Sequence, residues 1–335
     1  MCRTSVLLAV LLTISCGPVP DSRSPDVDLM PPQLQSVLAF GPAEISLSFD
    51  EDAGLCAEKT RITPPLAVKD VTGPSKNVIL RGQDQAPGLL YTLEGEAQDA
   101  HGNSSSFAAK FSGFNSRVPR LLINELTPRG SGNHPDLVEL KVLTSGNMGG
   151  VVFYVGTPGS YDARMLFPPF EVEAGSFIVI HLKPSGDAEE VDETKDMTVS
   201  KGFDAADGAF DFWLKDGRGI GGNNGVLTVC ERPGGACLDG ILYSNRTVQS
   251  DERYAGFGTE EMRTRAEELV KIGGWKPAGD RVTPEDGVNP EGSTGTRSLC
   301  RSGSSSDEDR PEDWHIVPTR AASFGAVNSD GVYSP

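Results

Sequence analysis

Basic residues are scarce in this 335-residue chain: 30 Lys and Arg face 47 Asp and Glu, for a net charge of −17. No run of Lys or Arg exceeds two residues. A surface this acidic disfavours electrostatic capture of nucleic acid or anionic lipid. Aromatics are only 7%, and His, Cys and Trp number 4, 6 and 3. Beyond the first sixteen residues no apolar stretch reaches the ~18 residues that a membrane-spanning helix needs. Walker A, G-x-S-x-G, S-x-x-K and H-E-x-x-H sequences are all missing, and no two His stand at i, i+4. What the chain has in quantity is Gly (39) and Pro (24), without a Gly-X-Y period, which excludes collagen and coiled coil. Its 37% hydrophobic content excludes a fully disordered chain and is enough for one large or two ordinary domains.

The opening reads MCRTSVLLAVLLTISC. Arg3, the apolar run Val6–Leu12 and small residues before Cys16 describe a secretory signal peptide over residues 1–15. Thr13-Ile14-Ser15-Cys16 resembles a bacterial lipobox, with Thr13 where that family usually has Leu. The resemblance implies cleavage before Cys16 and lipid on its sulfur and amine. Ordinary signal-peptidase cleavage, using Thr13 and Ser15 as the small residues, is the alternative. Residues 16–30 are Pro-rich, polar and aperiodic, as an extended linker is. The expected location is therefore the cell envelope, anchored to a bacterial membrane, with the outer membrane expected, facing the periplasm or the cell surface.

Cys2 leaves with the signal. Cys230 and Cys237 flank a Pro-Gly-Gly turn between two strand-like runs, so a hairpin disulfide is expected. A metal reading is weaker, because no nearby Cys or His completes four ligands. Cys56 and Cys300 are either free or paired with each other.

From residue 31 to 116 short alternating runs recur: Ile45/Leu47/Phe49, Val78–Leu80, Tyr91/Leu93/Ala97 and Phe107/Ala109/Phe111. Turn signals separate them, predicting a small β-sandwich. The Pro31–Val37 and Ile45–Asp50 runs, then Tyr91-Thr92-Leu93 leading to Asp99-Ala100-His101-Gly102-Asn103, resemble an SbsA-type bacterial Ig-like domain, usually a spacer or adhesive module. Asp99 and Asn103 read as turn residues, with Ca²⁺ ligation the lesser alternative.

Residues 117–335 carry a second set of strands. Ile123-Asn124-Glu125, Val138-Glu139-Leu140, Asp239 with Tyr243, Arg297-Ser298-Leu299, Trp314 and Gly325-Ala326-Val327-Asn328 occur in the order of the lamin tail domain. The resemblance implies another Ig-like sandwich, with Asn124, Glu125, Glu139, Asp239, Trp314 and Asn328 as fold-signature residues. Phe324 departs from the usual Pro. Two insertions are expected, near 183–201 and 246–295. The first is acidic and reads as a solvated loop; Ca²⁺ binding is its alternative. The second holds the one clear helix, about Glu260 to Ile272, capped by Thr259 and stopped by Gly273. Its stripe of Met262, Ala266, Leu269 and Val270 is expected to face core.

The fold class expected is all-β: two Ig-like sandwiches in series with one short helix. Glu125 and Glu139 make the best acid/base pair, yet belong to the fold signature, so a structural role is expected. The expected function is that of a non-enzymatic envelope or surface lipoprotein acting as a binding, adhesion or structural module. No cofactor, metal or catalytic residue is expected. The partners are a membrane, through the lipid, and an unknown envelope or host ligand. The alternative is an accessory subunit or remnant of an exported hydrolase.

Overall fold

The computed structural model describes residues 28–335, so the signal-like segment, Cys16 and most of the linker lie outside the described residues. The described chain is mostly β, with one α-helix and two separate large hydrophobic cores.

The first core is built by β1 (Leu34–Gly41), β2 (Glu44–Leu55), β3 (Arg61–Thr63), β4 (Val68–Val71), β5 (Ser75–Gly82), β6 (Leu90–Gln98) and β7 (Ser104–Ser112). The period-two pattern does the sorting: Ile45, Leu47 and Phe49 point inward while the serines between them stay partly exposed. β2 pairs with β1 and β5 along its first half, and with β6 only through Gly54 and Leu55. The register breaks between Ser48 and Ala53, so this one strand passes from one set of partners to the other. The turn between β6 and β7 is made by Asp99. Its Oδ1 accepts from the His101 and Asn103 amides, both at 2.8 Å, and its Oδ2 from Asn103 Nδ2 at 2.7 Å.

The second core is built by β8 (Leu121–Leu126), β9 (Leu137–Val142), β10 (Gly146–Asn147), β11 (Val152–Thr157), β12 (Ser160–Leu166), β13 (Glu171–Val172), β14 (Phe177–His181), β15 (Phe210–Trp213), β16 (Asn224–Cys230), β17 (Cys237–Ser244), β18 (Leu299–Arg301) and β19 (Trp314–Ile316). One sheet has the order β15-β14-β9-β8-β18-β19 and the other β12-β11-β16-β17; β10 and β13 form a separate ribbon. β14 and β15 run parallel, while the other pairs in these sheets are antiparallel. Ile123, Leu140 and Ile180 of the first sheet share a cluster with Phe153, Leu227 and Ile241 of the second.

β8, β9 and β14 are buried on both faces. The outer face is covered by the 203–209 loop and the C-terminal segment, where Leu137, Val179 and Ala209 pack with Phe324. This second cover was not foreseen from the alternation of Val138, Leu140 and Val142.

Helix α1 (Glu260–Lys271) is capped by Thr259, whose hydroxyl accepts from the Met262 amide at 3.1 Å. Gly273, at φ +81°, follows its end. Met262, Ala266 and Leu269 are buried as expected, and Val270 is half-buried. Arg265 is buried as well, held by Asp162 at 2.9 Å and Glu261 at 2.6 Å. The 183–201 insertion is mostly exposed loop, as expected, but Glu193 and Ser200 anchor it inward. Glu193 is buried and accepts from the Ser200 and Asp211 amides, at 2.7 and 2.9 Å. Glu190 accepts from the Ser185 and Gly186 amides. Acidic side chains here replace backbone partners that a strand ladder would have supplied.

Candidate functional site

The signature residues meet behind β8 and β9. The two strands pair Ile123 with Leu140 and Glu125 with Glu139, leaving Asn124 as the extra residue of a β-bulge. A bulge re-aims its side chain. Asn124 Nδ2 here donates to Glu139 Oε1 at 2.7 Å and to Asn328 Oδ1 at 3.0 Å. Asn328 Nδ2 donates to the carbonyls of Asn124 and Arg301, at 3.0 and 2.9 Å. Those two carbonyls fix the Asn328 amide, which in turn fixes that of Asn124. Ser305 then donates to Asn124 Oδ1 at 2.9 Å.

Both glutamates are fully buried. Glu139 Oε2 accepts from the Gly325 amide at 2.6 Å. Glu125 accepts from the Ser298 hydroxyl, and from the amide and hydroxyl of Ser323, both at 2.9 Å. Thus Ser323, Gly325 and Asn328 clasp the C-terminal segment onto two buried carboxylates. Burial and the neighbouring Glu125 raise the Glu139 carboxyl to about 8, against the opposing bonds from Asn124 and Gly325. Burial raises Glu125 too, against the bonds from Ser298 and Ser323.

Next to the clasp, Arg301 is enclosed. Its Nε donates to the Ile123 carbonyl at 2.9 Å, and its guanidinium lies 4.7 Å from the Trp314 ring centroid. It pairs with Asp307 at 2.9 Å, Asp313 at 3.3 Å and Asp239 at 3.5 Å. Asp239 accepts from the Ile123 amide at 2.6 Å, and burial raises its carboxyl to about 7 although Arg301 opposes this. Asp239, Asp307 and Asp309 approach closely enough to suggest a metal, but Arg301 and Lys276 already neutralise them. Asp28, Asp99 and His101 also approach one another, with Asp99 committed to its turn.

The structure therefore brings Asn124, Glu125, Glu139, Asp239, Trp314 and Asn328 into one region. Ser298 belongs to the Arg297-Ser298-Leu299 motif, whereas Arg301, Ser305 and Ser323 were missed. The available signal was an Arg inside the apolar run Leu299-Cys300-Arg301. Of the His residues, His181 stacks on Trp213 at 3.7 Å and meets Asp211 at 2.7 Å, a buried pair on β14 and β15.

A cleft of about 550 Å³ opens beside the clasp, within the size range of small-molecule sites. Leu137, Ala206 and Phe324 contribute apolar wall; His134 contributes an imidazole, and Asp204 and Arg320 contribute charge. His134 Nδ1 lies 3.3 Å from Asp204, and its ring is 6.0 Å from that of Phe203, which is 56% exposed. Asp204 and Arg320 have φ of 63° and 65°, a region that non-Gly residues avoid and that clusters at binding sites. His134 lies in a turn, its amide donating to the Ser131 carbonyl at 3.3 Å. Nothing in the sequence links it to Arg320.

Cys230 and Cys237 are register partners at the turn end of the β16–β17 hairpin, but they are not joined in the structure, so the expected hairpin disulfide is not seen there. Cys56 and Cys300 are also free; Cys300 is buried beside His315.

A relative from Treponema pallidum (strain Nichols), described as an uncharacterized protein, is 32% identical over 163 residues, or 48% of this chain. The match covers 41% of that relative, so the chain spans less than half of its length. A family model described as "protein second domain" matches residues 119–316, from the start of β8 through β19. The clasp residues Ser323, Gly325 and Asn328 follow the matched stretch. With most of its length inside that match, the chain belongs to this second-domain family.

Proposed function

We propose that the protein is a lipid-anchored envelope or surface lipoprotein that works without catalysis, as a binding, adhesion or structural module. The observation that carries this reading is the fate of its one acid/base pair. Glu125 and Glu139 have no solvent exposure, and their oxygens are spent on Asn124, Ser298, Ser323 and Gly325. A substrate has no path to them short of unfolding the clasp. In this reading the N-terminal part is an SbsA-type Ig-like spacer and the C-terminal part a lamin-tail-like head. Support for the second comes from the convergence of its signature residues in one network. The sequence Thr13-Ile14-Ser15-Cys16 and the Pro-rich stretch after it supply the anchor and tether. The ligand is placed in the 550 Å³ cleft. Its apolar wall and the Arg320 guanidinium suit a molecule with an apolar body and an acidic group.

Incorporation of radiolabelled palmitate, lost in Cys16→Ala, tests the anchor; unchanged labelling would refute it. A screen of the purified protein for hydrolase activity, with and without divalent metal, tests the rest. Turnover that survives purification and disappears in Glu139→Gln, with the fold intact, would make the hydrolase alternative the better reading.

A further inference from the structure

We infer that Cys230 and Cys237 are a covalent cross-link site, joined by a disulfide that closes the β16–β17 hairpin in the mature protein. The two residues face each other in antiparallel register, immediately after a bulge between Val229 and Cys230. Paired residues of this kind place their Cβ atoms ~4.5–5.5 Å apart, close to the separation that a disulfide bridges. The turn between them is already closed. Glu231 N donates to Ala236 O at 3.0 Å, Gly235 N to Arg232 O at 2.9 Å, and Gly234 takes φ +71°. Little backbone entropy remains to oppose the bond. Cys230 and Cys237 pack against Val152 and Tyr154, and the Cys237 thiol donates to the Asp239 carbonyl at 3.4 Å. The thiolate of either is the attacking form.

The two remaining described cysteines lack such a partner. Cys300 is sealed against His315, at 3.6 Å, and that ring nitrogen is 2.8 Å from the Ser329 carbonyl. Cys56 belongs to the other core's strand set.

The bond forms by thiol–disulfide exchange with a disulfide-donating oxidant. One thiolate attacks the donor's S–S bond and gives a mixed disulfide; the second displaces the donor sulfur. Two electrons and, by way of solvent, the two thiol protons pass to the donor, whose disulfide is reduced to two thiols. The ring closed in this way carries Glu231 and Arg232. Both line a cleft of about 300 Å³ with Phe114, Ser116 and Gly150. The cross-link would hold that turn in one shape.

Oxidation in the cell depends on the export reading, so the test uses purified full-length protein in a glutathione redox buffer. Free thiols are then alkylated and the protein is cut with trypsin. Trypsin does not cut between Arg232 and Pro233, so both cysteines fall in one peptide, Gly219–Arg246. The expected result is that this peptide is about 2 Da lighter and unalkylated, while Cys56 and Cys300 are alkylated. In Cys237→Ser, Cys230 becomes alkylated. The oxidised protein should melt about 5 °C above the reduced protein. Alkylation of Cys230 and Cys237 in the oxidised sample, or a bond from either to Cys56 or Cys300, would overturn the assignment. Equal melting temperatures would overturn its role in holding the hairpin. A correct pairing in vitro with free thiols in the cell would count against export and leave the site standing.

Discussion

Raising the pH should loosen this fold through Glu139. In the unfolded chain the carboxyl titrates near its ordinary 4.5; in the fold it is raised to about 8 by burial and by Glu125. The folded state thus holds a proton that the unfolded state has released. Stability is fully present below about 4.5 and is lost as pH rises through about 8. Each pH unit between these values removes about 1.4 kcal/mol per proton, so the whole span is worth roughly 5 kcal/mol. Glu125 is raised too, and Asp239 is raised to about 7, so both act in the same direction. Asp99, Asp162, Glu190 and Asp251 are lowered, and they act with the opposite sign at more acidic pH. The assay is urea unfolding of wild type and Glu139→Gln from about pH 5 to about pH 8.5. The Gln amide cannot accept from both Asn124 and Gly325, so the variant should be less stable by about 1–3 kcal/mol at the acid end. Its stability should then fall less steeply, narrowing the gap at the alkaline end. Wild-type stability that stays flat or rises across this range, with a parallel profile for the variant, would refute the burial argument.

Arg301→Lys should cost about 3–5 kcal/mol, because an ammonium cannot serve the Ile123 carbonyl and the Asp side chains together; a change in urea midpoint measures it. Asn328→Ala removes the amide that holds the Asn124 and Arg301 carbonyls, and should cost about 2–3 kcal/mol. Its signature is faster amide exchange at Gly325, whose N–H donates to the buried Glu139 carboxylate in wild type. Gly325→Ala should lower stability by about 1–2 kcal/mol, since φ is +81° and the added methyl would meet Ala206 at 3.0 Å. Thr259→Ala should lower it by about 1 kcal/mol through the lost helix cap, read as a small drop in Tm.

Local periodicity carried much of the architecture. Alternation at Ile45, Leu47 and Phe49, and at Val138, Leu140 and Val142, identifies inward faces, because successive strand residues must point opposite ways. Thr259, Glu260 and Gly273 bound the helix for equally local reasons, namely orphan amides at its start and a left-handed residue after its end. Arg265 was not legible: its burial is made tolerable by Asp162, on β12 and distant in sequence, together with Glu261 one turn back.

The sequence by itself determined the β character, the hairpin that sets Cys230 opposite Cys237, and the residues of the signature. Those are consequences of nearest-neighbour geometry and of residue type. Tertiary structure alone decided what the signature does. The bulge at Asn124 turns one amide toward Glu139, and the C-terminal segment then supplies donors from Ser323 and Gly325 to both buried carboxylates. It also decided the cleft, where His134, Asp204 and Arg320 meet from three distant stretches of chain. Burial, and the carboxyl shifts that follow from it, belong to the space those segments enclose and to no residue's own chemistry.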